Sequence, residues 1–187
     1  MSIKQHSGRD PRLYTGLQAY TTQPFTEANV KNGTQFYITY DFVVPNGQTV
    51  FVLWETNGDP VIVKTRSLQT NGGIDYLVYR NPDATTGPTP IAVQNLNEIT
   101  PATTDLVVSS NVTPNTLPAV NSEIDKVVAF AGHGNQRGGG VFSSSGIERI
   151  LASNSKYLTE FKNTEGADVR VIYNVSWYEG PLSIDII

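Results

Sequence analysis

The chain reads as an all-β protein: an antiparallel β-sandwich, jelly-roll-like, of about eight strands, with an extended N-terminal arm. Three observations predict this. Short runs of alternating apolar and polar residues recur along the chain, and Asn, Gly and Pro turn signals separate them at regular intervals. No stretch shows the sustained 3.6-residue period of an amphipathic helix. At 187 residues the chain suits one domain with its own apolar core. Its expected parts are an arm or strap over 1–28, the sandwich over 29–180, and an edge strand or tail over 181–187.

The elements follow in order. Over 35–44, Phe36, Ile38, Tyr40, Phe42 and Val44 alternate with Gln35, Tyr37, Thr39 and Asp41, which gives a long strand with one apolar face. Pro45-Asn46-Gly47-Gln48 turns the chain into a returning strand at 49–55. Thr56-Asn57-Gly58-Asp59 follows, and its Asn-Gly pair suits the positive φ angles of a type I′ hairpin. Strands at 61–67 and 74–80 flank a third turn, Thr70-Asn71-Gly72-Gly73, so the first half reads as a run of four strands joined by local hairpins.

Pro82, Pro88, Pro90 and Pro101 oppose regular structure across 81–104, which is expected to cross between sheets as a surface loop in which only 91–93 pairs. Further strands are expected at 106–111 and 124–131, with 132–146 as a flexible Gly/Ser stretch. Two more, at 157–162 and 169–178, flank the turn Asn163-Thr164-Glu165-Gly166. In the last strand Val169, Val171, Tyr173, Val175 and Trp177 share one face, while Asp168, Arg170, Asn174 and Ser176 share the other.

The two ends differ from this middle. Residues 2–26 have no sustained period and carry Arg9, Arg12, Tyr14, Tyr20 and Phe25, which suits either an arm that orders against a neighbour or a strap across its own sandwich. Pro181-Leu182-Ser183-Ile184-Asp185-Ile186-Ile187 is apolar beyond what a solvated terminus needs. It suits one more edge strand, or a strand donated to another subunit.

Composition excludes several classes of function. Charged residues make up 16% of the chain, against roughly 25% in an average soluble protein, so the surface is polar but largely uncharged. A net charge of −4 argues against a sequence-independent grip on nucleic acid, which needs clustered Lys and Arg. The lack of cysteine removes disulfides, thiolate nucleophiles and cysteine metal sites. No apolar run approaches the roughly 18 residues that span a bilayer, so no membrane partner is expected.

Chemistry-bearing motifs are weak. His6 and His133 lack metal-ligand spacing. A triad of His133 with Ser143, Ser144 or Ser145 lacks a G-x-S-x-G nucleophile turn. The Gly-rich run around Arg137 lacks the Gly-Lys-Ser/Thr ending of a phosphate loop. Trp54, Tyr76, Tyr173 and Trp177 lie in the apolar phase of their strands, which makes them core residues rather than a sugar platform. The expectation is a non-enzymatic protein with no catalytic, cofactor or metal residues.

Three segments carry a resemblance: Asn32-Gly33-Thr34-Gln35-Phe36-Tyr37-Ile38-Thr39-Tyr40; Gly87-Pro88-Thr89-Pro90-Ile91-Ala92-Val93-Gln94-Asn95-Leu96-Asn97; and residues 150–179, with Asn154, Lys156, Tyr157, Leu158, Asn163, Trp177, Tyr178 and Glu179. Their order resembles that of small virion structural proteins of tailed bacteriophages, in which a late "I-L-x-x-N-x-K-Y-L" element precedes a final strand ending in Trp-Tyr-Glu. The resemblance implies a capsid decoration or cement protein, made in the host bacterial cytoplasm and carried on the capsid exterior. Its implied partners are the major capsid protein and copies of itself as a homotrimer. The candidate interface residues are then Arg9, Arg12, Tyr14, Tyr20, Phe25, Arg137, Ile184, Ile186 and Ile187. The alternative role is a head- or tail-attached module that binds a host glycan or receptor.

Overall fold

The computed structural model describes residue 30 and residues 32–83, 85–86, 88–119, 122–129 and 141–180, with the backbone alone at 85–86, 128–129 and 141–147. Thirteen strands are assigned among them: β1 (Gln35–Val44), β2 (Thr49–Thr56), β3 (Val61–Thr70), β4 (Ile74–Arg80), β5 (Thr85–Thr86), β6 (Thr89–Pro90), β7 (Gln94–Asn95), β8 (Leu106–Ser110), β9 (Thr113–Pro114), β10 (Asp125–Ala129), β11 (Val141–Leu151), β12 (Lys156–Asn163) and β13 (Val169–Glu179). They form two packed antiparallel sheets. The five-stranded sheet runs β11-β3-β13-β1-β7, the six-stranded sheet β10-β4-β12-β2-β8-β6, and β5 pairs with β9 apart from both.

The wiring corrects the expected hairpins. None of the first four strands pairs with its successor; β1 pairs with β13, β2 with β12, β3 with β11 and β4 with β10. The chain is therefore one long ribbon whose first half pairs with its second half in reverse order, folded over so that alternate lengths lie in opposite sheets. The short turns cross from sheet to sheet. Stacked sheets lie about 10 Å apart, and a connection such as 45–48 can cover about 13 Å, so a tight turn serves a crossing as readily as a hairpin. The backbone agrees: Gly58 has φ 73° but Asn57 is not in the positive-φ region, as both central residues of a type I′ turn would be.

Two other expectations change. Residues 141–146 of the run expected to be a flexible stretch belong to β11, which pairs along β3 with an irregularity between Ser145 and Arg149. Residues 91–93 are not a strand, although the Ile91 amide extends the β6–β8 pairing by donating to the Val108 carbonyl at 2.7 Å; β6 and β7 lie on either side, paired with β8 and β1 respectively, and Ile91 and Val93 pack against the core.

Between the sheets lies an aromatic core. Trp177 is fully buried, with Trp54 meeting it edge-on at 6.1 Å between ring centroids and Phe161 meeting Tyr173 at 5.1 Å. The alternation in β13 holds along its length: Val169, Val171, Tyr173, Val175 and Trp177 are buried. The six-stranded sheet also has a second apolar cluster, Leu53, Tyr79 and Leu158, on its other face, covered by Val112 from the segment after β8. The corresponding face of the five-stranded sheet is a polar ladder, where Thr39 donates to Asn174 Oδ1 at 2.8 Å and Thr65 and Ser176 hydroxyls meet at 2.6 Å.

Candidate functional site

The antiparallel pairing of β1 with β13 brings the start of one and the end of the other together, with Gln35 opposite Tyr178. Residues 32–34 and Gly180 therefore sit at one pole of the sandwich. Loop 96–105 is fastened there by amide side chains. Asn95 Nδ2 donates to the carbonyls of Gly33 (2.6 Å) and Ala102 (3.1 Å), while Asn97 Oδ1 accepts from the amides of Ile99 (3.0 Å) and Thr100 (2.9 Å). Gly33 has φ 72°, and a Cβ there would lie 2.3 Å from the Thr100 carbonyl oxygen, so only glycine permits this approach. On this fixed loop Ile99 is 92% exposed and Leu96 is 44% exposed. An apolar side chain held out by a pre-ordered loop is a ready anchor, because little conformational entropy remains to be lost on binding.

The Trp-Tyr-Glu ending of β13 closes this pole from inside. Trp177 Nε1 donates to Glu179 Oε1 at 2.9 Å, the Asp105 amide donates to Glu179 Oε2 at 2.8 Å, and the Thr104 hydroxyl donates to the same carboxylate. Tyr178 faces the opposite way, donating to Glu148 Oε2 at 3.2 Å with the Lys64 ammonium 5.4 Å from its ring centroid. Burial, reinforced by the Glu148 charge, pushes the Tyr178 phenol up to about 12. Gln35 Oε1 is buried at the same pole and has no hydrogen-bond partner among the described residues.

The other cluster with chemical interest lies at the flank where β10 and β11 edge their sheets. Arg66 is paired with Asp125, and Arg149 Nη2 lies 3.6 Å from the same carboxylate while donating to the Ile124 carbonyl at 3.1 Å. Burial disfavours the Arg66 charge, but the Tyr76 hydroxyl and Asp125 outweigh it and hold the guanidinium above its ordinary value. Behind this group the Tyr76 and Tyr173 hydroxyls meet at 3.0 Å, and burial pushes both phenols up, Tyr173 the further. They stay neutral at any physiological pH. The adjoining cavity, lined by Trp54, Val63, Arg66 and Tyr173 among others, measures about 30 Å³. One water needs about 10–15 Å³ of such space, so the cavity suits about two, whereas small-molecule sites run to roughly 300–1,000 Å³. No group of three or more His, Asp or Glu suited to a metal ion occurs among the described residues.

No family model, curated protein or solved structure matches the chain. The residues that carried the phage resemblance have structural work in this fold. Asn154 sits at φ 49° in the turn before β12, Lys156 pairs with Glu55 at 2.6 Å, and Tyr157 accepts the Ala152 amide at 2.9 Å. Leu158 is fully buried, and Asn163 Nδ2 donates to the carbonyls of Val44, Pro45 and Ala167.

Arg9, Arg12, Tyr14, Tyr20, Phe25, Arg137, Ile184, Ile186 and Ile187 all lie outside the described residues, as do His6, His133, the arm over 1–28 and the tail over 181–187. Trp54, Tyr76, Tyr173 and Trp177 are buried in the core, where their strand phase put them. Sequence reasoning passed over Ile99 and the Arg66–Asp125–Arg149 group. Ile99 had a readable signal, an isolated large apolar residue between Asn97-Glu98 and Thr100-Pro101. The arginine group had none, since its members come from β3, β10 and β11 and meet only through pairing.

Proposed function

We propose that the chain is a non-enzymatic structural subunit of a tailed-phage virion, a jelly roll that attaches to the capsid exterior and reinforces the shell. The observation that carries this reading is the open pole, where the loop bearing Ile99 is locked beside the start of β1 and the end of β13. A subunit that docks by one end needs a rigid presented anchor and chain ends free to reach neighbours.

The jelly-roll assignment is supported by the reverse-order pairing of β1–β4 with β13–β10, which gives β11-β3-β13-β1 in one sheet and β10-β4-β12-β2 in the other, as two interlocked Greek keys would. A low-charge hydrogen-bonding surface and a cavity of about 30 Å³ fit a binding role better than a catalytic one. The partners in this reading are the major capsid protein and further copies of the chain, as a homotrimer on a local symmetry axis.

Occupancy on purified capsids, read by labelled imaging, tests the reading. Wild-type protein is expected on the head exterior. Ile99→Ser and deletion of residues 2–26 are each expected to lower occupancy at least tenfold while leaving a folded sandwich. Tail placement, or glycan binding on an array with no capsid binding, would overturn it in favour of a receptor-binding module.

A further inference from the structure

The five-stranded sheet stops short at β1. Its outer neighbour, β7, pairs only with Phe36 and Tyr37. The Leu96 amide donates to the Gln35 carbonyl at 3.0 Å, so Gln35 points its backbone groups outward, and by strand periodicity so do Thr39, Asp41 and Val43. Among the described residues no strand pairs with that edge.

The core is open at the same place. Tyr40 and Phe42 point inward and stack on each other at 4.6 Å, and Phe42 meets Phe161 edge-on at 5.0 Å, yet both are only half-buried because the sheet ends beside them. Val43, on the opposite face, is 51% exposed. An exposed edge beside unfinished core is a template for one more strand.

We infer that residues 181–187 of a second copy of this chain fill that edge as an antiparallel strand, with Leu182, Ile184 and Ile186 laid over Tyr40 and Phe42. Three arguments select this occupant. The segment alternates with a period of two, apolar at 182, 184 and 186, as a strand covering one core face must. At about 3.3 Å per residue it reaches about 23 Å, which matches the about 20 Å of open edge from Thr39 to Val44. The chain's own segment starts from Gly180 beside Gln35, and about 13 Å of its reach is spent passing β7 before Thr39. It would also run parallel to β1, whereas a second copy can bring the same residues in from the far end and pair along the whole edge. This inference concerns self-association and stands whether or not the partner is a capsid.

Light scattering coupled to size exclusion on the full chain tests it. The wild type is expected as a multiple of the 20.4 kDa chain mass. Deletion of residues 181–187 is expected to give the single-chain mass with unchanged far-ultraviolet circular dichroism. Val43→Pro removes an outward N–H that no described strand uses and is expected to do the same. Ile184→Pro and Asp185→Pro change none of the described residues of the sandwich; in the proposed strand one of the two must remove a ladder donor, so at least one is expected to dissociate the assembly. A wild type that runs at the single-chain mass overturns the inference, as does an assembly that survives the deletion or both tail prolines. So does an assembly lost on deleting residues 2–26 but kept without 181–187, which would make the N-terminal arm the occupant.

Discussion

The two poles of this sandwich are built from the same kinds of residue and differ in what they leave unfinished. At the closed pole three sheet-crossing turns, 45–48, 71–73 and 164–168, are knitted to one another. Asn163 reaches three carbonyls, Asn46 donates its amide to Asp168 Oδ1 at 2.9 Å, Arg170 donates its amide to Asn71 Oδ1 at 2.7 Å, and Gly73 donates its amide to Glu165 Oε1 at 2.9 Å. At Gly72 glycine is required for closeness, since a Cβ there would lie 2.6 Å from Val169 Cγ2, whereas Gly47 supplies a φ of 65° in its turn. At the open pole the backbone is equally well tied, by Asn95, Asn97 and Glu179, but Ile99 and Leu96 face solvent and Gln35 Oε1 goes unsatisfied among the described residues. The contrast teaches that order and completeness are separable. One end is finished by its own chain, and the other is equally ordered and still presents apolar surface, which is the condition of an interface.

If that contrast is right, damage at the two ends should have different consequences. The largest effect is expected from Asn163→Ala, which strands buried carbonyls at the closed pole. A loss of about 2–4 kcal/mol, from about 1–3 kcal/mol per unsatisfied group, should appear in urea unfolding with no change in any binding assay. Glu179→Ala is the matching lesion at the open pole. It orphans the Trp177 indole N–H and loosens 104–105, with an expected loss of about 1–2 kcal/mol, and it should also weaken partner binding because it unfastens the presenting loop.

A smaller, pH-dependent effect belongs to Tyr178. Its folded phenol titrates at about 12 against an ordinary value of 10.0, so the neutral form is favoured by folding. The stability this contributes is complete below pH 10 and is lost as pH rises towards 12. Phenolate absorbance should show one late-ionising phenol fewer in Tyr178→Phe than in wild type, with Tyr76, Tyr79 and Tyr173 still ionising late. The smallest stability effect is expected from Ile99→Ser, within about 0.5 kcal/mol of wild type, in contrast to its large expected effect on capsid occupancy. A marked fall in melting temperature for Ile99→Ser would remove the distinction between the poles, since Ile99 would then be serving the fold.

Strand phase was largely legible in the chain. The alternation in β1 and β13 gave both the extent of these strands and the faces they bury, and the aromatic residues assigned to the core are in it. β11 was not legible, because Ser143-Ser144-Ser145-Gly146 carries no apolar alternation and its place depends on pairing with β3. Ile99 was visible as an oddity but not as a site, because exposure is a property of what surrounds a residue.

By itself, then, the sequence determined where the alternating strands run, where they turn and which of their sides is apolar, because these follow from local sterics and a two-residue period. It did not determine the partners of those strands. A turn that reverses the chain within a sheet and one that crosses to the opposite sheet use the same few Asn, Gly and Pro residues. Only the tertiary structure chose the second, since pairing β1 with β13 and β2 with β12 brings their buried faces together as one core. That choice also set the start of β1 and the end of β13 at one pole and left the β1 edge beyond Tyr37 without a partner strand among the described residues.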